Sequence, residues 1–372
     1  MSDLISELRQ RAADLGFNSV GVSIAAPAQR LYTYLRWLED GRYGEMGYMA
    51  RPDRVERRQN PQVILPGIRS IISVGLSYST IKIPPDIAHD PGRGRISSYA
   101  WGVDYHDLMT PKLEELAIWL RSLDSLVRSR VYVDTGAVLE RDHGETAGLG
   151  FTGKNTMLID PRNGSWFFLG EILTTLALPP TKPAVMPSCG SCHRCLDACP
   201  TAAFPAPYEL DSRRCISYLT IELKGWIPRD LRPLIGNWIY GCDICQEVCP
   251  FNRFTKPTGA AGFLPFDLND AAPPLLDILV LDEEAFNKRF KNSPIKRIKR
   301  GRLLRNACVA AGNWGDKSAV PPLAALLHEA DPILRGHAAW ALRQIDNMGA
   351  RTAVSDALRV EDDPQVRQEL LT

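Results

Sequence analysis

The sequence CGSCHRCLDACP at residues 189–200 carries four cysteines in the order Cys-x2-Cys-x2-Cys-x3-Cys-Pro. Bacterial ferredoxins bind [4Fe–4S] clusters with this spacing, and in two-cluster ferredoxins the fourth cysteine ligates the other cluster. A second run, CDICQEVCP, lies at residues 242–250, and Cys215 precedes it. The two runs together predict a ferredoxin-like module that transfers single electrons.

Exchange of ligands between the runs fills two clusters with eight thiolates and leaves none over. The first predicted cluster takes Cys189, Cys192, Cys195 and Cys249. The second predicted cluster takes Cys199, Cys215, Cys242 and Cys245. A pair of structural zinc sites would also take four thiolates each, but zinc does not require this ferredoxin spacing.

The cysteine usage also predicts the compartment. Nine cysteines, eight of them clustered, do not suit a secreted disulfide framework, and Cys308 is expected to be a buried small residue on a helix. The N-terminus has no apolar signal core, and no stretch has the roughly 18–20 apolar residues that span a bilayer. We therefore expect a cytoplasmic protein without a membrane segment.

Helical and strand patterns alternate over the first 180 residues, which predicts an α/β or α+β fold. A helix over 3–15 ends at Gly16, and another is expected to begin at Thr110 and Pro111, a cap followed by proline. The predicted strands are NSVGVSI at 18–24, SIISVGLSY at 70–78, RVYVD at 130–134, TMLID at 156–160 and SWFFLGEILTTLAL at 165–178.

A repeat marks the C-terminal part of the chain. DPILR at 331–335 recurs as DPQVR at 363–367, a period of 32 residues, as in helical HEAT-type repeats. A proline-rich stretch at 179–187 separates the first part from the cysteines. These features divide the chain into three predicted domains, at 1–180, 181–257 and 258–372.

Asp134 follows the β-rich run RVYV and precedes Thr135 and Gly136. A carboxylate at the end of a strand is well placed to protrude into a site. The alternative is that Asp134 caps the next helix. His143 nearby is more often a surface or satisfied histidine than a ligand, and the neighbouring glycines form no dinucleotide fingerprint.

Residues 288–305, KRFKNSPIKRIKRGRLLR, hold nine basic and no acidic residues, although the whole chain has 44 basic and 43 acidic residues. Such a run can be a solvated helix face, or it can bind phosphates. No RNA-reading signature accompanies it.

Taken together, these pieces resemble the epoxyqueuosine reductase family of queuosine biosynthesis over essentially the whole chain. The matching segments are RRQNP at 57–61, YAWGVDYH at 99–106, VDTG at 133–136, ETAGLGFTGKNTM at 145–157, CGSCHRCLDACPTAA at 189–203, RCISYLTIELKGWIP at 214–228 and GNWIYGCDICQEVCPFN at 236–252, together with the repeat. The resemblance implies an α+β multidomain fold. Its parts are a nitroreductase-like α/β cobalamin-binding domain, a double [4Fe–4S] module and C-terminal HEAT-like repeats.

The resemblance also implies the chemistry, which is reduction of epoxyqueuosine to queuosine at the wobble position of a tRNA. Electrons would pass through the two clusters to a base-off cob(II)alamin, and Asp134 would donate a proton. For this Asp134 must keep its proton near neutral pH, which requires burial. The corrinoid contacts carried over by position are Arg58, Ser98, Asp134, Leu158, Leu169, Ser217, Lys224 and Asp243.

Beside a tRNA substrate, the basic run is expected to bind phosphates, through Lys296, Arg297, Lys299, Arg300, Arg302 and Arg305. We also expect a low-potential electron donor and a monomer. Two other functions compete: a reductive-dehalogenase-like corrinoid iron–sulfur enzyme, and a non-catalytic electron carrier or tRNA-binding protein. The missing export signal argues against the first, and the large α/β part argues against the second.

Overall fold

Helices and strands follow one another along residues 2–181 and 185–372, the part of the chain that the computed structural model describes. The α-helices are α1 Ser2–Asp14, α2 Leu31–Glu39, α3 Gly47–Ala50, α4 Pro52–Gln59, α5 Pro61–Ile64, α6 Pro85–Ala88, α7 Tyr105–Ser122, α8 Glu140–Thr146, α9 Arg194–Asp197, α10 Ile216–Ile221, α11 Arg232–Ile235, α12 Ile244–Glu247, α13 Leu268–Ala271, α14 Leu275–Leu279, α15 Glu283–Arg289, α16 Lys299–Trp314, α17 Val320–Leu326, α18 Pro332–Ile345, α19 Met348–Val360 and α20 Pro364–Leu371. The strands are β1 Ser19–Ile24, β2 Ser70–Ser77, β3 Arg95–Ile96, β4 Ser129–Tyr132, β5 Phe151–Thr152, β6 Leu158–Ile159, β7 Phe167–Thr174 and β8 Trp238–Tyr240. Short 3₁₀ helices cover Ser98–Ala100, Ser212–Arg214, Pro250–Phe254, Ala261–Phe263, Pro294–Ile298 and Lys317–Ala319.

An antiparallel sheet in the order β1-β2-β7-β4 forms the centre of the N-terminal part. Its second strand, SIISVGLS, is buried on both faces because helices cover both of them. Helix α7 packs on one face, where a side chain at Gly170 would meet Met109 and Leu113. Helix α8 packs on the other, where a side chain at Gly21 would meet the carbonyl of Ala147.

The predicted elements are largely present, with two corrections. Helix α7 begins at Tyr105, not at Thr110, because the carboxylate of Asp104 caps it and accepts a hydrogen bond from the His106 N–H. Pro111 therefore lies inside the helix. The run TMLID contributes only the two-residue strand β6, which pairs with β5.

The repeat predicted from DPILR and DPQVR corresponds to helices α18 and α20. In both copies the aspartate is the N-cap and the proline is the first helical residue, as their side chains favour. Helix α16 is buried from Leu303 to Gly312, and Cys308 within it is fully buried, as predicted.

Contacts divide the chain into two compact units, each built from separate stretches. One comprises Met1–Ile81, Val103–Ser212 and Ile244–Leu264, and contains the four-stranded sheet. The other comprises Lys82–Gly102, Arg213–Asp243 and Pro265–Thr372, and contains the repeat. The three consecutive domains expected from the sequence stay a prediction, and residues 182–184 of the proline-rich boundary lie outside the described residues. None of the described helices is both long enough and apolar enough to span a membrane.

Candidate active site

Asp134 lies on a tight turn directly after β4. Its φ is +58°, a left-handed backbone conformation that costs a non-glycine residue energy unless its surroundings hold it. Asp134 does not cap the next helix, because α8 begins at Glu140 with Leu139 as its N-cap. The side chain of Asp134 is exposed. The burial expected for a proton donor is not supplied by the described residues around it.

Two hydrogen bonds hold this aspartate. The hydroxyl of Tyr105 donates to Oδ2 at 2.8 Å, and the Asp134 N–H donates to Oε1 of Glu140 at 2.8 Å. Tyr105 is itself fixed by stacking on Phe168, with ring centroids 4.3 Å apart. The carboxyl group is thus oriented by the start of α7, and its backbone by the start of α8.

A second and a third carboxyl group lie beneath this turn. Glu171 in β7 is completely buried, and burial, followed by the charge of neighbouring Glu140, raises its pKa well above the ordinary value. Burial and then the charge of Asp134 raise the pKa of Glu140 to about 7. Sequence reasoning missed Glu171, although a glutamate in the apolar run FFLGEILT was a usable signal.

Four of the eight clustered cysteines line one cavity. They are Cys189, Cys192, Cys195 and Cys249, the set predicted for the first cluster, and the cavity has about 350 Å³ of space including its open mouth. The peptide N–H of Lys154 donates to Sγ of Cys189 at 3.4 Å, as backbone amides do toward cluster thiolates. Two separate cysteine runs therefore meet at one place.

Charged thiolates are unfavourable in this cavity unless a cation is bound. Burial, and then the neighbouring thiols of Cys189, Cys249 and Cys192, raise the pKa of Cys195 to about 11. Thiolates can share such a site only when positive metal compensates their charge. Among the described residues, no three His, Cys, Asp or Glu side chains are placed to hold a single metal ion. Four thiols spread around a cavity fit a [4Fe–4S] cluster better than zinc.

The second predicted set is divided between the compact units. Cys199 and Cys245 belong to the unit with the sheet, whereas Cys215 and Cys242 belong to the unit with the repeat. The Ala203 N–H donates to Sγ of Cys199 at 3.4 Å. The ligation of a second cluster by these four stays a prediction.

Besides Asp134, three predicted corrinoid contacts lie in the unit with the sheet. Leu158 and Leu169 belong to an apolar cluster with Ala147 and Leu149, close to α8. Arg58 is only 6% exposed, and its Nε has no hydrogen-bond partner among the described residues. A buried donor left unpaired is costly, and it fits a polar group of a large bound cofactor.

The other four lie in the unit with the repeat. Asp243 is buried and accepts hydrogen bonds from the hydroxyl of Ser97 and from the N–H of Ser98. The Ser98 Oγ is buried and meets no hydrogen-bond partner in the described part of the chain. Ser217 is partly buried on α10, and Lys224 is exposed after it. Both orphaned atoms, on Arg58 and on Ser98, are polar groups at positions predicted to touch a corrinoid.

The basic run divides into outward and inward side chains. Lys296 and Lys299 are exposed, and Arg297 is exposed but paired with Glu222 at 2.6 Å. Arg300 bonds to Glu329 at 2.5 Å and to the Leu281 carbonyl at 2.6 Å.

The last two arginines point inward. Arg302 donates to the carbonyls of Ile221, Ile298 and Arg297. Arg305 is 1% exposed and donates to the carbonyls of Leu219, Leu223 and Gly225. Its expected contact with phosphate is therefore wrong, because its guanidinium is buried and fully used inside the protein.

Three families of known proteins match parts of this chain. Residues 58–135 match a family described as "Epoxyqueuosine reductase QueG, DUF1730", residues 188–252 a "4Fe-4S double cluster binding domain", and residues 300–372 "HEAT repeats". These matches coincide with the VDTG segment, the cysteine runs and the repeat.

Whole proteins match as well. The epoxyqueuosine reductase of Pseudomonas aeruginosa is 41% identical over 349 residues, which cover 92% of this chain and 94% of that protein. A crystal structure of epoxyqueuosine reductase with an epoxyqueuosine-modified tRNA-Tyr stem loop has a TM-score of 0.91 and 34% identity, covering 100% of this chain and 97% of the other. A Bacillus subtilis epoxyqueuosine reductase with "the Asp134 catalytic loop swung out of the active site" has a TM-score of 0.91 and 33% identity, covering 100% and 98%.

Proposed function

The chain belongs to the epoxyqueuosine reductase family, and from this membership we propose that it reduces epoxyqueuosine at the wobble position of a tRNA. It is an oxidoreductase with a double [4Fe–4S] module. Membership in this family favours epoxyqueuosine reduction over the two competing functions, a dehalogenase-like enzyme and a non-catalytic carrier. The tRNA substrate is supported by the relative described with a modified tRNA stem loop.

The reaction sets the chemistry that the site must perform. Both C–O bonds of the epoxide break, a C=C bond forms, and the oxygen leaves as water after taking up two electrons and two protons. The opening C–O bond develops negative charge on oxygen, which an acid must quench. Asp134 is our proposed acid, and its position on a held turn, bonded to Tyr105, is the observation that carries this role.

The cofactors would be two [4Fe–4S] clusters and a base-off cobalamin. Their eight cysteine ligands are those predicted above, and Arg58, Ser98, Asp134, Leu158, Leu169, Ser217, Lys224 and Asp243 would line the corrinoid. When bound, the clusters supply single electrons and the cobalt centre supplies reduction of the strained ring. The orphaned polar atoms of Arg58 and Ser98 would find partners on that group.

The proposed tRNA surface is the outward part of the basic run. Lys296 and Lys299 carry exposed charges. Arg297 adds a third charge, for which a phosphate would compete with Glu222. Such contacts with phosphates are not sequence-specific, so they position the anticodon loop and do not read it. The electron donor, a monomeric state and a cytoplasmic location stay predictions.

The test of this function is Asp134→Asn, with iron and cobalamin content measured in the same preparation. A general acid contributes roughly 10²–10⁴-fold, so we expect turnover of epoxyqueuosine tRNA to fall by about 10² or more. Asp124→Asn is the matched control, because Asp124 also lies in a loop but caps only the Leu126 N–H. Wild-type turnover by Asp134→Asn with both cofactors intact would remove Asp134 from the chemistry.

A further inference from the structure

Three carboxyl groups form a row that leads inward from the catalytic turn. Asp134 is exposed, Glu140 is partly buried, and Glu171 is fully buried. The Asp134 N–H donates to Glu140 at 2.8 Å, so the two residues are in direct contact. Glu171 stands opposite Tyr132 and Ser73 in the sheet, on the face that α8 covers, and Glu140 opens α8.

The contact between the two glutamates constrains their protons. Both oxygens of Glu171 lack a hydrogen-bond donor among the described residues. A hydrogen bond between Glu171 and Glu140 would therefore require a proton on one of the two carboxyl groups. Because Glu171 is fully buried and feels the charge of Glu140, ionisation of both carboxyl groups is strongly disfavoured. At least one proton is thus stored in the pair, next to Asp134.

The reaction needs a proton held close to Asp134. The epoxide oxygen leaves as water and takes up two protons, whereas the carboxyl group of Asp134 holds one. Once Asp134 has protonated the oxygen it is a carboxylate, and it must be protonated again before water can leave. If the bound substrate covers the exposed turn, water cannot reach Asp134 from that side, and an internal acid becomes the source of the second proton.

We propose that Glu140 is the second acid of this site and reprotonates Asp134 within each turnover, while Glu171 stays protonated and donates a hydrogen bond to Glu140. This rests on the proposed role of Asp134. In the step, the O–H bond of Glu140 breaks, an O–H bond forms on Asp134, and the negative charge moves from Asp134 to Glu140. No electrons are transferred. After Asp134 has given the second proton to the leaving water, both Asp134 and Glu140 are carboxylates, and both regain a proton from solvent before the next turnover.

The charges around Glu140 support this role. A pKa of about 7 leaves Glu140 partly protonated at neutral pH, which suits a general acid. Burial and then the charge of Asp134 raise that pKa, whereas hydrogen bonding with Glu171 and with the Asp134 N–H, and then the charge of Arg141, lower it. From the neighbouring helices, Arg54 donates to the Thr135 carbonyl and Tyr105 donates to the aspartate itself.

The decisive variant is Glu140→Gln, which keeps an oxygen to accept the Asp134 N–H but has no proton to give. Since a general acid contributes at least about 10²-fold, we expect kcat to fall tenfold or more while KM for the tRNA is unchanged. Wild-type kcat should fall as the pH rises through about 7, where Glu140 loses its proton, and this decline should be absent from the variant. Glu145→Gln is the control, because Glu145 lies on the same helix but is ion-paired with Arg30, which lowers its pKa.

Glu171 gives an independent test. Glu171→Leu removes the hydrogen bond that lowers the pKa of Glu140, so the decline in kcat should move to higher pH. Glu171→Gln retains a donor and should restore the wild-type profile. An unmoved profile in Glu171→Leu would contradict the pairing.

Measurements on the substrate-free protein distinguish proton transfer by Glu140 from a purely structural role of its hydrogen bond to Asp134. Infrared spectra should show a protonated carboxyl band that titrates near pH 7 in the wild type and is lost in Glu140→Gln. Amide exchange at Asp134 should be unchanged in Glu140→Gln, which keeps the backbone hydrogen bond, and faster in Glu140→Ala. Wild-type kcat and pH profile in Glu140→Gln, with Asp134→Asn inactive, would overturn the relay alone. Wild-type activity in Asp134→Asn would overturn the role of Asp134 and the relay with it.

Discussion

The hydroxyl of Tyr105 lies 2.8 Å from Oδ2 of Asp134 and donates a hydrogen bond to it. Tyr105 is the first residue of α7, and its ring stacks on Phe168 in β7 with an interplanar angle of 12°. The tyrosine therefore connects an exposed carboxyl group on a turn to the packed sheet. It leaves Oδ1 of the aspartate available to exchange a proton.

Tyr105→Phe should lower kcat about tenfold, because a hydrogen bond to a charged group contributes roughly 1.5–3 kcal/mol and the stacked ring is retained. The KM for tRNA should not change, since Tyr105 holds Asp134 and not the nucleic acid. Steady-state kinetics measure both constants. Tyr32→Phe, at a tyrosine that is 73% exposed, is the control. A rise in KM with unchanged kcat would contradict this role.

The cavity lined by Cys249 and the first cysteine run predicts which variants lose the same cluster. Cys249→Ala should remove about four of about eight irons per chain, and adding Cys189→Ala should remove no more. Combining Cys249→Ala with Cys199→Ala should remove nearly all. Iron analysis and electron paramagnetic resonance of the reduced protein measure the loss. Cys308→Ala is the control, because this cysteine is buried in α16 and belongs to neither predicted ligand set. If Cys249→Ala and Cys189→Ala together removed more iron than Cys249→Ala alone, the exchange of ligands between the two cysteine runs would be refuted.

Neutralising Lys296 and Lys299 to glutamine should weaken tRNA binding and flatten its dependence on salt. Each lysine that contacts a phosphate contributes about one unit to the slope of log K against log salt, so the slope should fall by about two. Filter binding at several salt concentrations measures it. Lys317→Gln, at a lysine outside the run, should leave the slope unchanged. An unchanged slope in the double variant would remove this surface from the interface.

The burial of His337 predicts that the folded protein loses stability in acid. It is fully buried, its Nε2 accepts the Ile227 N–H at 3.2 Å, and burial followed by the charges of Arg232 and Arg305 lowers its pKa well below the ordinary value. The unfolded chain therefore binds a proton below about pH 6.5 that the folded chain does not bind, and stability falls as the pH is lowered.

Thermal unfolding at several pH values measures this effect. His337→Gln should have a lower Tm at neutral pH but a smaller further loss between about pH 7 and 5.5. His328→Gln, at an exposed histidine, should keep the wild-type pH dependence. Equal pH dependence in His337→Gln and the wild type would show that another group is responsible.

Long patterns in the sequence predicted the fold well. Strands β2 and β7 follow from long runs of mostly apolar residues, and the two Asp-Pro dipeptides begin helices, with the aspartate as the N-cap. The start of α7 was missed because Asp104, an ordinary residue in a polar segment, acts as the cap, while Pro111 gave a false signal of a first turn. Several residues in such a segment could cap the helix, and the packing of the whole fold determines which of them does.

The sequence predicted only the part of the site whose chemistry depends on fixed intervals between residues. Cysteine ligands keep fixed intervals, so their first set was recognisable in the sequence. Glu171 is noticeable as the one acid in the run FFLGEILT, but its role is not readable from the sequence, because that role arises only when the fold places it near Glu140. The charges of Lys299 and Arg305 are equal in the sequence, yet one is exposed and the other is buried.

The inward arginines of α16 change how genetics on this protein should be interpreted. Arg305 and Asn306 hold backbone carbonyls at Leu219, Thr220 and Leu223, in the segment that follows Cys215. A screen for tRNA-binding defects would recover substitutions at these positions, because they disorganise that segment. Their phenotype would resemble failed substrate recognition, yet lysine would not rescue it, since one ammonium group cannot replace a guanidinium that bridges three carbonyls.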